Sequence, residues 1–507
     1  MEPNDVRSSK ARLQKFVVII SIVAGIKILF FSFALPFFPL DEELHFDAIH
    51  KFAAGYKIKR ELPSFDVASA ELIELYHSPE FLKIPLPDKP FLPLPWWCTP
   101  SQEHLPPELA FRINAWQQLR NVEIDAPPTY YLIAAQWYKL GRLLGYEGIF
   151  ILYWVRSLNA IFYIALIILS WLFVKECYPD NSFLQISVPV FLLVFPQDSL
   201  LFMIPNAIFA PFMALALLLM VKLLKNSTRS IGMYIVAGLV AAFTALLGFG
   251  NFVVVIPLFW IIWASLKNAQ PPNRRVVLRK ISAMLAAAGA PIVLWTLRNK
   301  VVLGNLSGSK TKQQYLDWSI QPVSRMLHHP LFSRHGFSYF ISTLSHNFWR
   351  GEMYWHFAPR TAWIDHFYLW SSIVFCGIFT AMVFRSRADE NKTQRFADTT
   401  SIIVVLASIL FLMAISIPFD FGRCFYPSRA LPYFVSGRII IGILLPFLIM
   451  YLRGLQIILE RISKKINPLH VSIGLAALIF LTETELFEPI LASHFTLISI
   501  ILGRSCG

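Results

Sequence analysis

The chain has 507 residues, of which 56% are hydrophobic and 15% charged, and its apolar residues lie in long runs. That excludes a soluble or disordered chain and predicts an all-α polytopic membrane protein. The net charge of +14 is spread over short connections and long loops, which argues against nucleic acid and for anionic lipid headgroups and phosphates.

A bilayer crossing needs about 20 mostly apolar residues, and short loops rich in Lys and Arg stay in the cytoplasm. Arg7, Lys10, Arg12 and Lys15 put residues 1–15 in the cytoplasm, and 16–38 reads as the first span, too long for the apolar core of a cleavable signal. Residues 37–148 then form a folded outer loop. Further spans are expected near 149–173, 183–203, 206–223, 231–249, 252–266, 281–298, 367–384, 399–418 and 438–456, with outer loops at 299–366 and 419–437. The tail 457–507 carries two short apolar stretches, 469–482 and 489–503, which makes eleven spans with twelve as the alternative. The inner connections hold Lys222, Lys225, Arg274, Arg275, Arg385, Arg461 and Lys464, so function is expected on the opposite, outer face.

The five cysteines show no metal-binding spacing, and one bridge, Cys98 to Cys424, stays open. Just past the first span comes Pro39-Leu40-Asp41-Glu42-Glu43-Leu44-His45-Phe46. A helix there brings a carboxylate and the His45 imidazole to one side. Beside a low-dielectric boundary such a carboxylate should have a raised pKa and serve as a base; the plainer reading is a charged end to a span. The loop closes on Glu123-Ile124-Asp125-Ala126-Pro127-Pro128-Thr129-Tyr130-Tyr131-Leu132, whose prolines can open an interfacial helix, with Asp125 as a second carboxylate facing Asp41.

The 299–366 loop has an excess of Lys and Arg over acids, which suits an anionic ligand or a solvated basic surface. It includes Ser345-His346-Asn347-Phe348-Trp349-Arg350-Gly351-Glu352. Arg423 and Arg438 sit at the mouth of later spans, as phosphate clamps or as snorkelling anchors. Lys27, Asp198 and Asn206 put polar groups in or near spans, where each needs a cavity or a partner.

Together these residues resemble the GT-C superfamily of multi-spanning glycosyltransferases, and within it a bacterial family of membrane proteins of unassigned substrate that carries P-D-E-x-x-H-F after its first span. That pattern is matched by Pro39, Asp41, Glu42, His45 and Phe46, with Leu40 inserted. The family's P-P-x-Y-Y-L is similar to Pro127-Pro128-Thr129-Tyr130-Tyr131-Leu132, its S-F-W-G to Asn347-Phe348-Trp349-Arg350-Gly351, and its G-R-Y-x-x-P to Gly437-Arg438 with Pro446 at a distance. The resemblance covers residues 16–456. The chain departs from it where Asn-Asn-Asp is reduced to Pro205-Asn206-Ala207, where Arg350 interrupts Phe-Trp-Gly, and where Ile439 replaces a tyrosine.

The resemblance implies a GT-C-like bundle in the plasma membrane that moves a sugar from a polyprenyl-phosphate donor to an extracytoplasmic glycan, lipid or protein acceptor. Asp41 is then the expected base, with Glu42 and His45 orienting the acceptor, and Asp125, Tyr130, Trp349, Arg350, Arg423 and Arg438 binding substrate. No cofactor is required, since phosphate is a good leaving group, although a divalent ion on Asp41, Glu42 and His45 stays open. The rival expectations are a transporter or flippase of a lipid-linked sugar and a non-catalytic envelope-assembly protein.

Overall fold

In lipid the backbone must satisfy its own hydrogen bonds, so long runs of Leu, Ile, Phe and Ala form helices. The structure, a computed structural model, describes residues 3–32, 37, 41–76, 109–197, 204–226, 230–267, 269, 273–352, 362–385, 391–424 and 426–482. Pro39, Leu40, Cys98, Asp198 and the expected stretch 489–503 lie outside the described residues.

The helices are α1 (Pro3–Ser32), α2 (Glu42–Ala53), α3 (Val67–Tyr76), α4 (Leu109–Gln118), α5 (Thr129–Leu143), α6 (Ile149–Cys177), α7 (Ser182–Val194), α8 (Phe209–Lys225) and α9 (Ile231–Leu247). They continue with α10 (Val255–Lys267), α11 (Arg274–Val302), α12 (Lys310–Tyr315), α13 (Val323–Leu327), α14 (Arg334–Arg350), α15 (Ala362–Arg385), α16 (Lys392–Ser416), α17 (Leu444–Ile462) and α18 (Pro468–Thr482). Two short strands, β1 (Ser319–Ile320) and β2 (Phe419–Asp420), pair antiparallel and join the expected second and third loops. Among the described residues, eight helical segments are long and apolar enough to cross a bilayer, which supports a polytopic membrane protein.

Helix α6 is the most central, packing on α1, α5, α7 and α8, while α17 packs on α7, α15 and α16. The core is apolar, and many outward side chains are apolar too: Ile19, Ile26, Leu294, Trp370 and Phe384 are all exposed, as a surface facing acyl chains requires. Several polar groups inside the bundle are paired. Lys27 donates to the Leu193 carbonyl at the last turn of α7 and lies 5.9 Å from the Tyr163 ring centroid, so its cost is met by a structural partner.

Short connections make successive long helices alternate in direction, which sorts their ends into two layers. One layer holds Tyr178, Asp398, Asn181 and Gln456, joined by Tyr178 Oη to Asp398 at 2.5 Å and Asn181 to Gln456 at 2.9 Å. The other holds the start of α2, the 119–128 turn and Arg438.

Several expectations change. The 345–350 segment, expected in a loop, is the last turns of α14, whose Phe348, Trp349 and Arg350 are buried. A helix wins because Phe340, Leu344 and Phe348 recur at i, i+4 and i+8 and face the core. Gly437 permits this packing: a Cβ there would sit 2.4 Å from the Phe348 Cα. The 438–456 span begins as a 3-10 turn, Gly437–Ile443, before α17, and α11 is longer than expected at 29 residues.

Candidate functional site

Asp41 caps α2 with φ of 62°, a left-handed conformation that aspartate tolerates better than most residues. This turns its carboxylate toward Arg438, whose Nη2 donates to Oδ2 at 2.6 Å across 397 residues of sequence. The same guanidinium has Nε 3.6 Å from Glu352 Oε2, and the Arg438 carbonyl accepts from Asn206 at 3.0 Å. Arg438 is held from the other side by α14, where Asn347 donates to the Val435 carbonyl at 2.9 Å.

One turn along α2, His45 is buried, and its Nδ1 lies 2.8 Å from the Tyr131 hydroxyl. Glu123 and Lys312 form an ion pair beside it. The 119–125 turn that carries Glu123 is pinned to α2 by Asn121, which donates to Asp47 Oδ2 and to the Leu44 carbonyl, each at 2.8 Å. Asp47 is in turn paired with Lys51 at 2.6 Å. Five segments distant in sequence thus build one ionisable cluster: Asp41 and His45, Glu123 and Tyr131, Lys312, Glu352, and Arg438.

Its electrostatics contradict the expected raised pKa at Asp41. The packed surroundings disfavour the Asp41 charge, but the Arg438 guanidinium and its hydrogen bond outweigh them and hold the carboxyl at about 2. Burial keeps His45 neutral, lowering it to about 4 against the pull of Glu123 and Asp41. Burial likewise works against the charge of Glu123, yet Lys312 leaves it below the usual range. The raised carboxyl is Asp125, pushed to about 6 by burial, with Arg298 and Lys312 only partly offsetting it. Asp125 is 6% exposed, and neither carboxylate oxygen has a hydrogen-bond partner among the described residues.

Because the folded pKa of Asp125 is raised, its ionisation is a cost that grows as pH rises from about 4 through about 6 and persists above. Asp125→Asn should therefore raise the apparent melting temperature by about 2 °C at pH 8, with the gain shrinking toward pH 4. A gain that does not change with pH would contradict this account.

Four of the other expected site residues, Glu42, Tyr130, Trp349 and Arg350, are buried and paired. Glu42 receives a bidentate pair from Arg156, at 2.7 and 2.5 Å, with both side chains fully buried. The carboxylate expected to orient an acceptor is thus committed to α6. Tyr130 is buried and donates to Asn159 at 3.3 Å. Trp349 stacks on Tyr368 with ring centroids 4.7 Å apart and donates to Ser372 at 2.9 Å. Arg350 is 4% exposed and pairs with Asp365 at 3.2 Å, which His346 also contacts at 2.7 Å. Arg423 is exposed in the turn after β2.

The candidate ligands Asp41, Glu42 and His45 are engaged separately, by Arg438, Arg156 and Tyr131. No group of three such ligands converges among the described residues. Sequence reading passes over Glu123, Tyr131, Lys312 and Glu352 as members of the cluster. The excess of basic residues in the 299–366 loop is the one signal for Lys312, and Glu352 is marked only as the end of the 345–352 segment, which mixes aromatics with both signs of charge. Among known proteins, no family model and no curated sequence matches this chain.

Proposed function

We propose that the chain is a plasma-membrane glycosyltransferase of the GT-C kind, moving a sugar from a polyprenyl-phosphate donor to an extracytoplasmic glycan, lipid or protein acceptor. The observation that carries this reading is the Asp41–Arg438 contact within a cluster assembled from five segments. The short apolar helices α7, α9 and α18 are read as crossings in addition to the eight long ones, giving eleven. With the N-terminus in the cytoplasm, the cluster then faces outward.

The acceptor oxygen bonds to the anomeric carbon while its proton passes to the Asp41 carboxylate. The bond from that carbon to the phosphate oxygen breaks, and its electron pair leaves with the lipid phosphate. Arg438 neutralises the departing charge. As they stand, the two groups neutralise each other. A donor phosphate that draws Arg438 toward itself removes the interaction that keeps Asp41 at about 2, so the carboxylate becomes a stronger base when the donor is bound. Neutral His45, fixed by Tyr131, is placed to accept a hydrogen bond from the acceptor.

The test is mass spectrometry of envelope glycans from a strain lacking the gene, complemented with wild type or Asp41→Asn at matched expression. The expected result is a sugar lost on deletion, restored by wild type and not by Asp41→Asn. Equal restoration by both would overturn the base assignment and favour a transporter or scaffold.

A further inference from the structure

In the layer opposite the Asp41 cluster, the 177–183 connection, the start of α16 and the middle of α17 enclose a cavity of about 410 Å³. That volume lies within the usual range of small-ligand pockets. Its walls are mostly hydrogen-bonding side chains: Asn181, Asn391, Gln394, Gln456 and Arg453. Arg453 Nη1 donates to Gln456 Oε1 at 3.1 Å, and Asn181 donates to the same oxygen at 2.9 Å. The Arg453 guanidinium stands 5.8 Å from the Tyr178 ring centroid. Its Nε is buried and has no hydrogen-bond partner among the described residues.

Arg453 is fifteen positions beyond Arg438, roughly 25 Å along this helix, so the cavity takes no part in the proposed transfer and does not depend on it. Its chemistry selects an anion. Carboxamides surround one guanidinium that retains an unused donor, and Asp180, the acid in the wall, is exposed at the rim. Asn181 and Asn391 cap α7 and α16, so the positive ends of two helices add to the field. Lys392, Arg395, Arg461 and Lys464 are exposed on this layer, and basic pockets between membrane helices at such an edge suit acidic headgroups.

We propose that this cavity is a phosphate site, filled by the headgroup of an anionic phospholipid or by a soluble phosphate. Arg453 binds the phosphate oxygens, and Gln394 and Asn391 complete the shell.

The full chain in detergent would be titrated with phosphatidylglycerol, with phosphatidylcholine and with inorganic phosphate, reading bound adducts by native mass spectrometry and thermal shift. The expected result is retention of phosphatidylglycerol over phosphatidylcholine, reduced about tenfold by Arg453→Gln, the loss of one charge-assisted contact. Gln394→Glu should reduce it similarly. It adds a repelling charge at a half-buried position and leaves Arg453 in place, so it decides the matter if Arg453→Gln misfolds. Displacement of the lipid by inorganic phosphate assigns the site to a soluble phosphate, and resistance to it assigns the site to lipid. Equal retention of both lipids with no response to phosphate, or undiminished binding in folded Gln394→Glu, would overturn the proposal.

Discussion

Arg156→Gln is expected to strip most of the folded protein from the membrane. Arg156 and Glu42 have no exposed surface, and the guanidinium also donates to the Ser32 carbonyl at 2.5 Å, tying α1, α2 and α6 together. Removing one partner of a buried pair leaves the other charge uncompensated, at a cost of about 3–5 kcal/mol. The double variant Glu42→Met with Arg156→Met removes both charges and should recover much of that loss. The check is the apparent melting temperature and monodisperse yield of both single variants and the double. A double variant no more stable than the singles would contradict the account. Glu42→Gln alone should behave like Arg156→Gln, a structural failure that an activity assay would misread as a catalytic one.

Arg438→Ala is expected to lower transfer by a factor of about 10²–10³, the size of effect seen when a preorganised group that stabilises developing charge is removed. Asp41→Asn should lower it at least as far, by removing the proton acceptor. The two should differ in donor binding. In Asp41→Asn the neutral carboxamide no longer competes for the guanidinium, whereas the truncated side chain in Arg438→Ala offers the phosphate nothing. Donor affinity should therefore hold or rise in Asp41→Asn and fall in Arg438→Ala. Glu352→Gln, which frees Arg438 from its second acid at 3.6 Å, should change donor affinity more than turnover. Comparing bound labelled polyprenyl-phosphate sugar across the three variants at matched folded protein checks this. Equal donor binding in all three would break the assignment of Arg438 to the phosphate.

Hydropathy makes the membrane class and most helix positions legible, because lipid leaves the backbone few choices. The prolines at 127 and 128 signal a helix opening, and Pro128 caps α5. Asp41, His45 and Arg438 stand out by their place at span ends, and the structure brings those three together. What sequence does not supply is pairing across long separations. Arg156 lies unmarked in an apolar run, and its partner Glu42 is 114 residues away. The expected rise at the first-loop carboxylate fails for the same reason: desolvation acts there, but a guanidinium from the far end of the chain outweighs it. Asp125, where desolvation prevails, shows the same local principle without a close cation to reverse it.

The central claim is that Asp41 and Arg438 carry out sugar transfer from a lipid phosphate. Its most direct test incubates the purified chain in sealed proteoliposomes with polyprenyl-phosphate lipids carrying radiolabelled sugars and with envelope acceptor extract, then follows the label. Label leaving the lipid fraction for the acceptor with wild type, and remaining in the lipid with folded Asp41→Asn, is the predicted result. Transfer at the wild-type rate by folded Asp41→Asn, or label that stays lipid-linked with wild type while crossing the bilayer, would contradict the account.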